Sequence, residues 1–82
     1  MSAGSVFKRT AQYSAGFLIE SAGLKGRRVG GAVVSPKHAN FIINLGTATA
    51  QDVRQLIETV RGMVYEKFGI MLDLEIELAG DC

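Results

Sequence analysis

The chain has 82 residues, 48% of them hydrophobic and 21% charged, with a formal net charge of +1. That length fits one small domain over residues 1–82. The composition excludes a disordered chain, and the near-neutral charge speaks against a non-specific polyanion binder, which normally carries a strong basic excess. The charges are unevenly placed: Lys8, Arg9, Lys25, Arg27, Arg28 and Lys37 lie in the first half with Glu20 as its only acid, and Asp52, Glu58, Glu66, Asp73, Glu75, Glu77 and Asp81 lie in the second. Cys82 is the only cysteine, so neither an internal disulfide nor a cysteine-based metal site can form. No apolar run is long enough to span a bilayer, and the start lacks a secretory pattern. The expectation is a reduced, cytoplasmic setting.

In chain order, residues 4–7 read as a short strand or tight entry. Ser14 then caps a helix whose Ala15, Leu18, Ile19 and Ala22 share one face at i, i+3, i+4, i+7 spacing. Gly23 stops it, since glycine adopts the left-handed conformation without a Cβ clash. Residues 24–31 read as a turn entering a strand that Ala32, Val33 and Val34 continue. Gly30 and Gly31 weaken that strand unless another part of the chain approaches closely or a bulge is present. Pro36 breaks the run, and Phe41-Ile42-Ile43 forms the next strand.

Thr49 and Asp52 form a capping-box-like start to a long helix over residues 50–68. Its apolar stripe is Val53, Leu56, Ile57, Val60, Met63, Val64 and Phe68, with Gly69 as the stop. Residues 71–78 alternate strictly, with Leu72, Leu74, Ile76 and Leu78 on one face and Met71, Asp73, Glu75 and Glu77 on the other. The order strand, helix, strand, strand, long helix, strand predicts an α+β fold, a small, mostly antiparallel sheet with two helices packed on one face.

Chemistry could sit at several places. Asp73, Glu75 and Glu77 face one side at about 7 Å spacing. They are either a solvated strand face, a carboxylic acid used for proton transfer or, weakly, a divalent metal site. His38 lies in the loop 35–40 with Lys37 and Asn40, a set suited to an anionic, oxygen-rich ligand; the alternative is a surface histidine bonded to a neighbouring carbonyl. Ser5 follows a glycine but is in no Gly-x-Ser-x-Gly elbow. Lys8 and Arg9 could bind phosphate or be solvated cations. The glycine-rich stretch 26–31 fits neither a P-loop nor a dinucleotide fingerprint and reads as a strand turn.

Taken together, Gly4-Ser5-Val6-Phe7-Lys8-Arg9, Ala15-Gly16-Phe17-Leu18-Ile19-Glu20, Ala22-Gly23-Leu24-Lys25-Gly26, Val29-Gly30-Gly31-Ala32-Val33-Val34-Ser35, Lys37-His38-Ala39-Asn40-Phe41-Ile42-Ile43-Asn44 and Val64-Tyr65-Glu66-Lys67-Phe68-Gly69-Ile70, with Leu72 and Glu75, resemble the C-terminal domain of the UDP-N-acetylenolpyruvoylglucosamine reductase (MurB) family, in its shorter subclass. Each motif alone is weak, but the ordered set is specific and covers nearly the whole chain. The resemblance implies an NADPH- and FAD-dependent oxidoreductase, UDP-N-acetylmuramate dehydrogenase, which reduces UDP-N-acetylglucosamine enolpyruvate in peptidoglycan precursor synthesis. It implies Ser5 as proton donor and Glu75 as its acidic partner. It also implies substrate contacts at Arg9, His38 and Phe41, the first two at the diphosphate or nucleotide, and no metal. Two departures from the family stand out: Thr10 replaces the usual proline after Arg9, and Glu77 stands where many relatives have arginine.

The family's FAD-binding domains precede this domain and are not among these residues. Neither FAD nor NADPH is therefore expected to bind this chain tightly, nor is it expected to turn over alone. Its expected partners are those FAD-binding domains and the substrate, with no nucleic acid and no membrane. One alternative is a non-catalytic anion- or RNA-binding module in which Phe7, Phe17 and Phe41 stack bases on one surface. Another is a structural domain whose helix 50–68 docks a partner.

Overall fold

The structure, a computed structural model, describes residues 5–75. Gly4, residues 76–78 with Glu77, Asp81 and Cys82 lie outside the described residues.

Helix α1 spans Ala15–Ser21. Its start follows from Ser14, whose side chain accepts the Phe17 N–H at 3.2 Å. Its end is a Schellman closure around Gly23 at φ +76°. There Leu24 N–H donates to Ile19 C=O at 3.2 Å and Gly23 N–H to Glu20 C=O at 2.9 Å. Ala15, Leu18, Ile19 and Ala22 are all buried, as their spacing predicts.

The segment read as one strand is a hairpin. β1 (Arg28–Val29) and β2 (Ala32–Val34) pair antiparallel, with Val29 opposite Ala32. Gly30 and Gly31 form the two-residue turn between them. Gly30 has φ +55°, the sign that a two-residue hairpin needs at its first central position. The close approach expected at these glycines is present. A Cβ on Gly31 would lie 2.5 Å from the Ala48 backbone nitrogen, and one on Gly30 would overlap the Asp52 carboxylate.

β3 (Ile42–Asn44) adds antiparallel to β2, with Val33 opposite Ile43, completing the order β1-β2-β3. Helix α2 spans Ala50–Phe68. Its capping box is complete, because Thr49 Oγ1 accepts from Asp52 N–H at 3.0 Å and Asp52 Oδ2 accepts from Thr49 N–H at 3.1 Å. Gly69, at φ +69°, closes the other end by donating to Tyr65 C=O. α2 packs on β1 and β2, and α1 packs on α2. Leu56, Ile57, Val60 and Val64 are buried against Leu18, Ile19, Leu24 and Leu72. Much of the stripe is thus this domain's own core, which leaves little of it for docking a partner. Phe68 departs from the expectation: the buried stripe ends one turn earlier at Val64, and Phe68 is exposed.

The two terminal predicted strands do not join this sheet among the described residues. Their one strand-type pairing is with each other, an antiparallel bridge between Phe7 and Leu74. The predicted alternation holds as far as residue 75, with Leu72 and Leu74 inward and Met71, Asp73 and Glu75 exposed. No helix of the described residues is long and apolar enough to cross a membrane.

Candidate active site

Three segments distant in sequence lie side by side: residues 73–75, residues 5–8 and the loop 35–41. Lys8 N–H donates to Asp73 C=O, and Glu75 N–H donates to Val6 C=O, both at 2.8 Å. A continuing ladder would also send Val6 N–H to Glu75 C=O. Instead it donates to Asn40 C=O at 2.9 Å, so the chain bends away at Val6 and the pairing stops. This diversion is the physical reason that, among the described residues, the two predicted strands share a single bridge.

On the other side, Asn40 also holds Phe7, with Oδ1 accepting its N–H at 3.0 Å and Nδ2 donating to its C=O at 2.9 Å. The amide oxygen of Asn40 and one of its two amide N–H groups are thus engaged by Phe7, which leaves a single N–H to join Lys37 and His38 on an anion. The loop carrying it is closed locally. The buried Ser35 Oγ accepts from the backbone N–H groups of Lys37 and His38, each at 3.1 Å. Phe41 N–H donates to His38 C=O, and Ser35 N–H to Phe41 C=O, both at 2.9 Å. From the opposite end, Arg61 on α2 donates through Nε to Leu72 C=O at 2.9 Å and pairs with Glu58 at 3.0 Å, which ties the segment before Glu75 to the helix.

Ser5, Arg9, His38, Phe41 and Glu75 lie on these segments or one position beyond them. Ser5 and Glu75 are exposed and adjoin the hydrogen bonds that join their strands. Arg9, exposed, follows Lys8. His38 is exposed, and its ring lies 5.7 Å from the half-buried Phe41 ring at 52°. Backbone hydrogen bonds thus bring together the segments that carry a hydroxyl, a carboxylate, a guanidinium, an imidazole and an aromatic ring. A shallow depression on α2, lined by Gln51, Arg54, Gln55 and Glu58, holds none of them.

Sequence reasoning missed Asn40 as a clamp and Arg61 as a tether. An asparagine just before a predicted strand was the only local signal, and nothing local marks a partner 33 residues away. Among the described residues no group of three His, Cys, Asp or Glu could hold a metal. Gly30 and Gly31 form no phosphate cradle either: Thr47, Ala48 and Asp52 occupy the space that their missing side chains leave. The base-stacking alternative loses one of its three rings, since Phe7 is buried at 3% exposure.

The family model "UDP-N-acetylenolpyruvoylglucosamine reductase, C-terminal domain" matches residues 1–79. The UDP-N-acetylenolpyruvoylglucosamine reductase of Caldicellulosiruptor bescii is 62% identical over 80 residues, a match covering 98% of this chain and 26% of that protein. That of Moorella thermoacetica is 61% identical over 79 residues, covering 96% and 26%. The crystal structure of UDP-N-acetylenolpyruvylglucosamine reductase (MurB) from Thermus caldophilus superposes with a TM-score of 0.78 at 49% identity, over 93% of this chain and 26% of that one. The chain spans about a quarter of the length of the curated relatives it matches. Matched almost from end to end in both sequence and fold, it belongs to the UDP-N-acetylenolpyruvoylglucosamine reductase C-terminal domain family.

Proposed function

We propose that this chain is the substrate-binding C-terminal domain of a UDP-N-acetylmuramate dehydrogenase, and that it contributes Ser5 and Glu75 to the reduction of UDP-N-acetylglucosamine enolpyruvate. The observation that supports this reading is the hydrogen-bonded pairing of the Ser5 and Glu75 segments, which brings two stretches from far apart in the chain, each with an exposed candidate residue, next to one another. The flavin of the whole enzyme, reduced by NADPH, supplies the hydride. Holding FAD is assigned to the rest of the enzyme.

This domain acts on the carbon next to the substrate carboxylate, where an enolate develops. Ser5 Oγ–H delivers the proton to that carbon. A hydroxyl is a poor acid in water, so it works only when aimed at the developing anion in a site from which water is excluded. Ser5 is exposed on this wall, and the substrate and the rest of the enzyme close over it during the reaction. Glu75 is the acidic partner that orients or stabilises the enolate. Arg9 and His38 meet the diphosphate or nucleotide, where arginine can offer paired N–H donors to phosphate, and Phe41 packs against it.

The test uses an intact reductase carrying this chain as its C-terminal quarter. Ser5→Ala is expected to leave flavin reduction by NADPH intact and to block turnover at protonation. Near-normal product formation in Ser5→Ala would falsify the role given to Ser5.

A further inference from the structure

We propose that Asn40 is a positioning residue for Ser5, its side-chain amide standing in for a strand that the 5–8 segment lacks. The inference rests on the role given to Ser5 above. Phe7 faces Leu74 in the non-hydrogen-bonded type of antiparallel pair, flanked by the widely spaced Lys8–Asp73 and Glu75–Val6 hydrogen bonds. In such a pair the residue's own N–H and C=O point away from its partner strand. Phe7 is 3% exposed, so those groups cannot turn to water, and leaving them unpaired would be costly.

Asn40 meets both at once. Its Oδ1 takes the N–H at 3.0 Å and its Nδ2 gives to the C=O at 2.9 Å. One planar amide thus reproduces the donor and acceptor of a peptide on a neighbouring strand. Aspartate could not donate to the carbonyl, and glutamine would reach one methylene too far.

The backbone carbonyl of Asn40 completes the hold. It accepts the Val6 N–H at 2.9 Å, and that N–H belongs to the peptide plane that begins at Ser5. The other side of Val6 is fixed by Glu75 N–H at 2.8 Å. Ser5 therefore leaves a peptide plane set by Asn40, next to a residue anchored to the Glu75 strand. Asn40 is itself supported. Ala39 beside it is buried, the loop is closed on Ser35, and the Cβ of Asn40 lies 3.8 Å from the place where a Cβ on Gly16 of α1 would sit. The same loop carries His38 and Phe41, so one clamp sets the spacing between the proton donor and the substrate-contact loop.

The test compares Ser5→Ala, Asn40→Asp and the double variant in the intact reductase, and follows amide hydrogen exchange in the 82-residue chain. Asn40→Asp keeps the size and the acceptor for Phe7 N–H but turns a carboxylate oxygen toward Phe7 C=O. The expected result is a fall in kcat on the order of a hundredfold, the cost of an ångström-scale displacement of a reacting group. Flavin reduction by NADPH stays unchanged, and KM changes less than kcat. The double variant is no slower than Ser5→Ala alone, since Asn40 acts through Ser5. In the chain, exchange at Val6 and Phe7 speeds up while α2 keeps its protection.

Full kcat in Asn40→Asp beside a dead Ser5→Ala overturns the positioning role and leaves the reading of Ser5 standing. Multiplicative losses in the double variant overturn it too, because Asn40 would then act independently. Retained turnover in Ser5→Ala removes both. Where Asn40→Asp does not fold, Asn40→Ser, which keeps a donor and an acceptor on a shorter side chain, carries the same comparison.

Discussion

The hairpin with α2 and the edge that carries Ser5 and Glu75 are built in opposite ways. α2 is bounded by contacts three or four residues long, Thr49 with Asp52 and Gly69 with Tyr65. The edge is joined by contacts between residues 33 apart at Asn40 and Phe7, and between the two ends of the chain at Val6 and Glu75. The first region encodes its own boundaries. The second exists only after the scaffold has brought loop 35–41 and both ends together. Damage to the scaffold should therefore abolish the edge, whereas damage to the edge should leave the scaffold standing.

The largest effect is expected where the hairpin docks beneath α2. In Gly31→Ala the new Cβ would meet the Ala48 backbone nitrogen at 2.5 Å, and backbone cannot swing aside as a long side chain can. Overpacking of this kind costs about 1–3 kcal/mol. For a domain of this size each kcal/mol lowers the melting temperature by roughly 4–8 °C. Thermal unfolding followed by circular dichroism measures it. An unchanged melting temperature would show that the turn is not pressed against the helix start, and the contrast between the two regions would lose its firmest member.

That contrast also explains what could be read in the sequence. Ser14, Gly23, Thr49 and Gly69 mark helix ends through the chemistry of neighbouring residues, and both helices begin and end where those signals place them. The alternation at 71–75 shows which side chains face inward before any partner strand is known. The hairpin was hidden because Gly30 and Gly31 carry no side chains to reveal that the face reverses, so two strands read as one. Val33 hides it further, being buried between Ala32 and Val34, which removes the polar beat of a half-exposed strand. The candidate residues came from resemblance. The spacing of the acidic stripe pointed to Glu75 without distinguishing it from Asp73, and nothing near Asn40 announces that its amide serves Phe7.

A smaller effect sharpens the local half of the comparison. Thr49→Ala removes the acceptor for Asp52 N–H and one half of the capping box. Loss of such a cap costs about 1 kcal/mol, a shift of several degrees at most, and exchange should rise first in the opening turn of α2. Equal loosening across the site segments would contradict the local character given to this helix end.

The smallest expected change in stability belongs to Ser5→Ala and Glu75→Gln. Both side chains are exposed, and the hydrogen bonds that fix their segments run through backbone groups and Asn40, which neither substitution touches. Exposed substitutions away from caps, cores and buried networks usually stay within about 0.5 kcal/mol. Both variants of the 82-residue chain should therefore melt within a few degrees of the parent, while in the intact reductase Ser5→Ala blocks turnover and Glu75→Gln lowers it. A loss of stability in Glu75→Gln as large as its loss of turnover would make that carboxylate part of the scaffold. Full stability with lost turnover separates the two regions, because a residue that holds nothing together and still limits the reaction can act only through what it meets at the surface.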